Sequence, residues 1–187
     1  MISNSPVSEQ EICVGCGLCC DGTLFSHATL QPGERGNLPE KIEQQYVERG
    51  DREVFRLPCA YFSGQCTIYD QPRACVCGTF RCQVLRKVAA QTMPQAQAMQ
   101  TVRDALRLRD DLYGSYRQIF GHDYPLHFKQ LIVDVKQAAK ATLPNDPLKT
   151  AIEQLRVKCV ACDLLFTKTF ASPKHFELFV AKPLTTS

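Results

Sequence analysis

In the second half of the chain, apolar side chains recur every three to four residues, the spacing of one helical face. Met99, Val102, Leu106, Tyr113, Tyr116 and Phe120 predict a helix over 95–120 that Gly121 stops. Phe128, Leu131, Ile132, Val135 and Ala139 repeat the pattern and predict a second helix over about 125–142, opened by Pro125. A third stripe, Leu148, Ile152, Leu155, Cys159, Cys162 and Phe166, follows Asn145 and Asp146, with Pro147 at the first helical position. Helices that are apolar on one side bury those sides against one another, so a small bundle is expected.

Shorter runs dominate the first half. Residues 23–30, TLFSHATL, predict a strand ended by the turn signal QPGERG. A short helix is expected over 39–49, begun by Pro39, with Ile42 and Tyr46 inward and Gly50 as its stop. The segment VFRLPCAYFSGQCTIYD, 54–70, is aromatic and β-branched and predicts two strands turning at SGQ. Two further elements are expected: a helix beginning at Ser8 with Glu11 placed for a capping box, and, where the pattern changes after QPRACVCGTFRC, a helix over about 80–90. The closing LFTKTFASPKHFELFVAKP suggests a hairpin around SPK. The fold class is therefore α+β and mainly helical. A small cysteine-rich metal-binding module with short strands occupies 1–92, and a helical subdomain with a C-terminal hairpin occupies 93–187.

Composition changes this picture at one residue type. A hydrophobic fraction of 44% with 22% charged residues is ordinary for a globular chain, so no long disordered segment is expected. A net charge of only +3 argues against a protein that coats nucleic acid. The densest basic run, Arg103 to Arg109, is broken by Asp104 and followed by Asp110 and Asp111, as a solvated helix face would be. The opening MISNSPVSEQEIC lacks the basic start and apolar run of a signal peptide, and no stretch nears the roughly 20 apolar residues of a membrane span. A soluble, cytoplasmic protein without a membrane partner is expected; oligomeric state is not legible.

Cysteine is the abnormal count: eleven, of which nine lie between residues 13 and 82. Cys13, Cys16 and Cys19 form two overlapping C-x2-C units, Cys20 extends them, and Gly15, Gly17 and Gly22 permit the backbone angles such a loop needs. Cys59, Cys66, Cys75, Cys77 and Cys82 supply five more thiols. In a reducing compartment such density points to metal ligands or redox thiols rather than disulfides, and the odd total fits poorly with complete pairing. Neighbouring Cys19 and Cys20 cannot easily bridge each other, since disulfides separate their Cα atoms by more than about 4.4 Å. One of the two is expected instead to contact a second metal or to complete a cluster from another direction. Nine thiolates match two four-ligand sites with one to spare. Cys159 and Cys162 also form a C-x2-C, but both fall on the third helical stripe, so burial explains them.

These residues resemble the YkgJ-like cysteine cluster family, described as a zinc- or iron-chelating CxxCxxCC domain. Its opening motif stands here as Cys13-Val-Gly-Cys16-Gly-Leu-Cys19-Cys20. Its second block is answered by Cys59, Cys66-Thr67-Ile68-Tyr69, Pro72 and Cys77-Gly-Thr-Phe80-Arg-Cys82. There are two departures: Arg73 follows Pro72 where the family has arginine before it, and Cys75 and Cys77 compete for one family position. Cys75 keeps the distance from the proline, and Cys77 keeps the distance to Phe80 and Cys82. The resemblance covers about residues 13–82 and implies a metal centre of zinc or iron, in some members an iron-sulfur oxidoreductase.

All-sulfur donors suit zinc or an iron-sulfur cluster and disfavour magnesium and calcium. The leading expectation is a metal-binding protein holding zinc or iron through thiolates, with an electron-transfer role and a protein redox partner if the metal is iron. The alternative is a zinc-stapled interaction module without catalysis. A similar domain occurs in some flagellin methylases, yet no cofactor motif for that activity is visible. His27, seven residues after Cys20, reads as an ordinary strand histidine, and His122, His127 and His175 form no H-E-x-x-H pattern. Arg73 and Arg81 read equally well as solvated loop residues and as cations offsetting thiolate charge. No P-loop, dinucleotide-binding or G-x-S-x-G motif occurs, so nucleotide and serine chemistry have no support.

Overall fold

The computed structural model describes residues 7–122, 127–171 and 179–180. In chain order its elements are α1 (Val7–Cys16), β1 (His27–Thr29), α2 (Glu40–Gln44), β2 (Tyr46–Arg49), β3 (Arg52–Arg56), α3 (Cys75–Thr79), α4 (Gln83–Ala89), α5 (Gln95–Phe120), α6 (Phe128–Ala141), α7 (Lys149–Thr169) and β4 (Phe179–Val180). The class is mainly helical α+β.

The long amphipathic stripes become helices as expected. α5 ends at Gly121, whose φ of +72° lets the chain leave the helix in the left-handed region. Its most buried line runs through Ala98, Val102, Ala105, Leu112 and Tyr116, so small alanines rather than Met99 and Leu106 mark its closest approaches. α6 buries Phe128, Leu131, Val135 and Ala139, and His127 caps it by accepting from the Gln130 N–H at 3.2 Å. Pro125 lies outside the described residues. α7 begins two residues beyond Pro147, after a turn in which Asp146 Oδ1 accepts from the Leu148 N–H at 2.8 Å. Cys159 and Cys162 are buried on its inner face, as the stripe predicts. Among the described residues no helix is long and apolar enough to cross a membrane.

Several short elements differ from expectation. α1 begins before Ser8 and runs through Cys13 to Cys16, and Glu11 bonds Gln95 of α5 instead of closing a capping box. The helix expected over 39–49 stops at Gln44, because Tyr46–Arg49 pairs with β3 around the two-residue turn Gly50-Asp51. The hairpin expected at SGQ shrinks to one bridge, Phe62 with Cys66, since β3 takes its partners from β1 and β2. The sheet order is β2-β3-β1-β4, all antiparallel, with Ala28 opposite Phe55. The expected C-terminal hairpin turn at SPK lies outside the described residues.

One hydrophobic cluster runs through the chain from Ile12 on α1 to Phe170 beyond α7. It joins the cysteine-bearing part to the helices. α1 packs on α5, and the Gln83 N–H at the head of α4 donates to Phe170 O at 2.9 Å. Leu18, Phe25, Phe55 and Val84 pack within this cluster, which fixes the loops that carry the thiols.

Candidate metal centre

The first four cysteines sit where a helix unwinds into a tight loop. α1 carries Cys13 and Cys16, and Gly17 at φ +62° turns the chain. The N–H groups of Cys20 and Asp21 both donate to Gly17 O, at 2.8 and 2.9 Å, which holds Cys19 and Cys20 in a compact turn. Phe62 leaves no room for a side chain at position 17: an added Cβ would lie 2.4 Å from its ring. Gly22 has φ +82°, whereas Gly15 lies inside α1 and needs no special backbone angle. The expectation for Gly15 is thus corrected.

The later cysteines come to this loop from three directions. The Cys59 N–H donates to Cys20 O at 2.7 Å, joining the segment after β3 to the first block. Cys66 closes the small bridge with Phe62, Cys77 rides on the single-turn helix α3, and Cys82 stands at the N-cap of α4. Two adjoining cavities result. Cys13, Cys19, Cys20, Cys59, Cys66 and Cys77 line a cavity of about 80 Å³, walled otherwise by Ile42, Phe55, Leu57 and Phe80. Cys13, Cys16, Cys19, Cys20 and Cys82 line a second of about 40 Å³ against Ile12, Leu18 and Val84. Eight of the nine thiols singled out by the sequence are therefore brought together. Cys75 lines neither cavity; its backbone N–H donates to Glu34 Oε1 at 2.5 Å.

Burial sets the electrostatics. It raises the thiols of Cys13, Cys16, Cys19, Cys20, Cys59, Cys77 and Cys82 above their ordinary value, Cys13 to about 11 and Cys77 to about 12. Cys13 keeps the most solvent contact of the nine as a residue, yet its sulfur lies among packed groups. Neighbouring thiols push Cys13, Cys16, Cys19, Cys20, Cys59 and Cys77 further up, while Arg73 and Arg81 oppose the rise at Cys13. Arg73 lines the larger cavity and stacks 4.2 Å over Tyr69. Arg81 pairs with the buried Glu9 at 2.8 Å and donates to the carbonyls of Gly78 and Phe80. A nucleophilic or redox-exchange thiol needs a lowered pKa, and these seven have the opposite.

Sulfur donors in an apolar, partly closed space fit zinc or iron and suit no hard cation. Among the described residues no group of three or more Cys, His, Asp or Glu side chains is arranged to hold a metal ion as it stands. His27 lines neither cavity. It is buried on β1 with Nδ1 2.9 Å from Ser26 Oγ. His175 lies outside the described residues. Sequence reasoning did not find Asp21, Arg109 or Glu9, whose pairings cross long stretches of chain and carry no local signal.

No protein-family model, curated protein or solved structure matches the chain.

Proposed function

We propose that the protein binds thiophilic metal, zinc or iron, through the clustered cysteines. The observation that carries this reading is the convergence of eight thiols, from α1 and its loop, the segment after β3, α3 and the head of α4, on two adjoining cavities. The residues that would hold the metal are Cys13, Cys16, Cys19, Cys20, Cys59, Cys66, Cys77 and Cys82. Bound iron would supply one-electron chemistry, and bound zinc would supply a cross-link between segments far apart in sequence. The likeness of the 13–82 motifs to the YkgJ-like cluster proteins supports the same reading. The chain's own contribution is to crowd the thiols, exclude most water and hold Arg73 and Arg81 near the sulfur charge.

The second reading, a zinc-stapled interaction module, is favoured by one observation. α7 is apolar on its outer side as well, where Val157, Val160 and Leu164 stay exposed at 60%, 48% and 56%. One purification separates the two. Protein isolated without oxygen and found brown, with absorbance near 400 nm that bleaches on reduction, carries an iron-sulfur centre. Colourless protein with stoichiometric zinc that unfolds on chelation is the stapled module. Protein that binds neither metal when either is supplied to reduced chain would overturn both.

A further inference from the structure

The two cavities share Cys13, Cys19 and Cys20, but their other thiols are distinct: Cys16 and Cys82 line only the smaller, and Cys59, Cys66 and Cys77 only the larger. The backbone divides Cys13 from Cys20, and Cys19 completes the set otherwise left with three thiols. Cys20 O accepts the Cys59 N–H, whereas α4, headed by Cys82, packs against α1, which bears Cys13 and Cys16.

We propose that the eight thiols form two separate four-cysteine centres, Cys13, Cys16, Cys19 and Cys82 in one and Cys20, Cys59, Cys66 and Cys77 in the other. The proposal rests on the metal-binding reading and adds the number of centres, their ligands and their junction. Successive side chains on a helix-like turn such as the one closed on Gly17 O differ by about 100° in direction, so the Cys19–Cys20 peptide is where the centres part. Four thiolates complete one tetrahedral site, which is why each set closes without water or histidine. A divalent ion entering either set displaces the thiol protons to solvent and forms four metal–sulfur bonds, with no change of oxidation state. Cys75 belongs to neither centre.

Cobalt(II) titration of the reduced, metal-free full-length chain tests this under anaerobic conditions. Wild type should take up two equivalents, both with the absorption of tetrahedral thiolate coordination. Cys82→Ser and Cys77→Ser should each take up one such equivalent, the double variant none, and Cys75→Ser two. A single equivalent in wild type, lost in either variant, would overturn the division. Because a serine variant can unfold, cadmium-113 resonances of wild type give a second reading: two four-thiolate signals are expected, and one alone overturns the proposal. Wild type that binds neither ion would instead overturn the metal-binding reading beneath it.

Discussion

Arg109 of α5 donates from Nη1 to Asp21 Oδ2 at 2.5 Å, tying the longest helix to the residue that follows Cys20. Both side chains are largely buried, 17% and 12% exposed. Burial raises the Asp21 carboxyl above its usual value even though the Thr23 N–H and Arg109 both hold it down. Desolvation thus outweighs the attraction, and the two partners are not equivalent. Arg109→Ala strands a buried carboxylate and should cost about 3 kcal/mol in urea unfolding at pH 7. Asp21→Asn removes the charge that needed a partner and should cost about 1 kcal/mol. Equal costs for the two variants would contradict this account.

His27 makes the fold sensitive to acid. It is 1% exposed, and its Nε2 has no hydrogen-bond partner among the described residues. Burial, followed by the nearby Arg49, His127 and Arg56, pushes the ring down to about 4. A depressed pKa means that the unfolded chain takes a proton first. The neutral-ring stability is therefore present above the ordinary pH of about 6.5 and is lost as pH falls to about 4, amounting to at most about 3 kcal/mol. In metal-free, reduced protein, His27→Gln should flatten that part of the stability profile. A variant whose stability falls in parallel with wild type would remove His27 from the explanation.

How much of this was legible in the sequence depended on the range of the forces involved. α5 was readable to its ends because its stripe spans many turns and Gly121 has only one structural use there. Tyr46–Arg49 was misread because its apolar spacing suits a helix, while its pairing with β3 is tertiary; the Gly50-Asp51 turn was the available clue. The convergence of the cysteines was legible from spacing and count. The choice between Cys75 and Cys77 was not, since it depends on α3 forming a helical turn. Two residues apart on a helix differ by about 200° in direction, which sends one side chain to the cavity and the other away. The Asp21–Arg109 link, 88 residues apart, leaves no local mark.

Gly17 and Gly15 should respond oppositely to the same change. Gly17→Ala meets both a φ of +62° and the Phe62 ring, 2.4 Å from the added carbon. Strain and overpacking together should cost about 2–4 kcal/mol and lower the retained metal. Gly15→Ala places its methyl 3.9 Å from Met99 Cε inside a helix, so it should be neutral or stabilising by up to about 1 kcal/mol. Thermal unfolding and metal content of the two variants check this. A stable Gly17→Ala with full metal would show that the loop after α1 is not fixed by that glycine.

Arg73 is expected to strengthen metal binding without being a ligand. Four thiolates around a divalent ion leave two negative charges in a poorly hydrated space, and a cation at the cavity wall stabilises that state more than it stabilises four neutral thiols. Arg73 is placed for this: it lines the larger cavity and is held by stacking on Tyr69. Arg73→Gln should weaken cobalt(II) binding at the proposed Cys20, Cys59, Cys66 and Cys77 centre roughly tenfold, about 1.4 kcal/mol, in competition with a chelator at fixed pH. Arg73→Lys keeps the charge but loses the planar stack, so its loss should be smaller. Arg103→Gln, on an exposed turn of α5 where Arg103 bonds only Gln100 among the described residues, should leave affinity unchanged. If Arg73→Gln behaves like Arg103→Gln, charge at the cavity wall contributes nothing to metal affinity, and burial and thiol number alone set it.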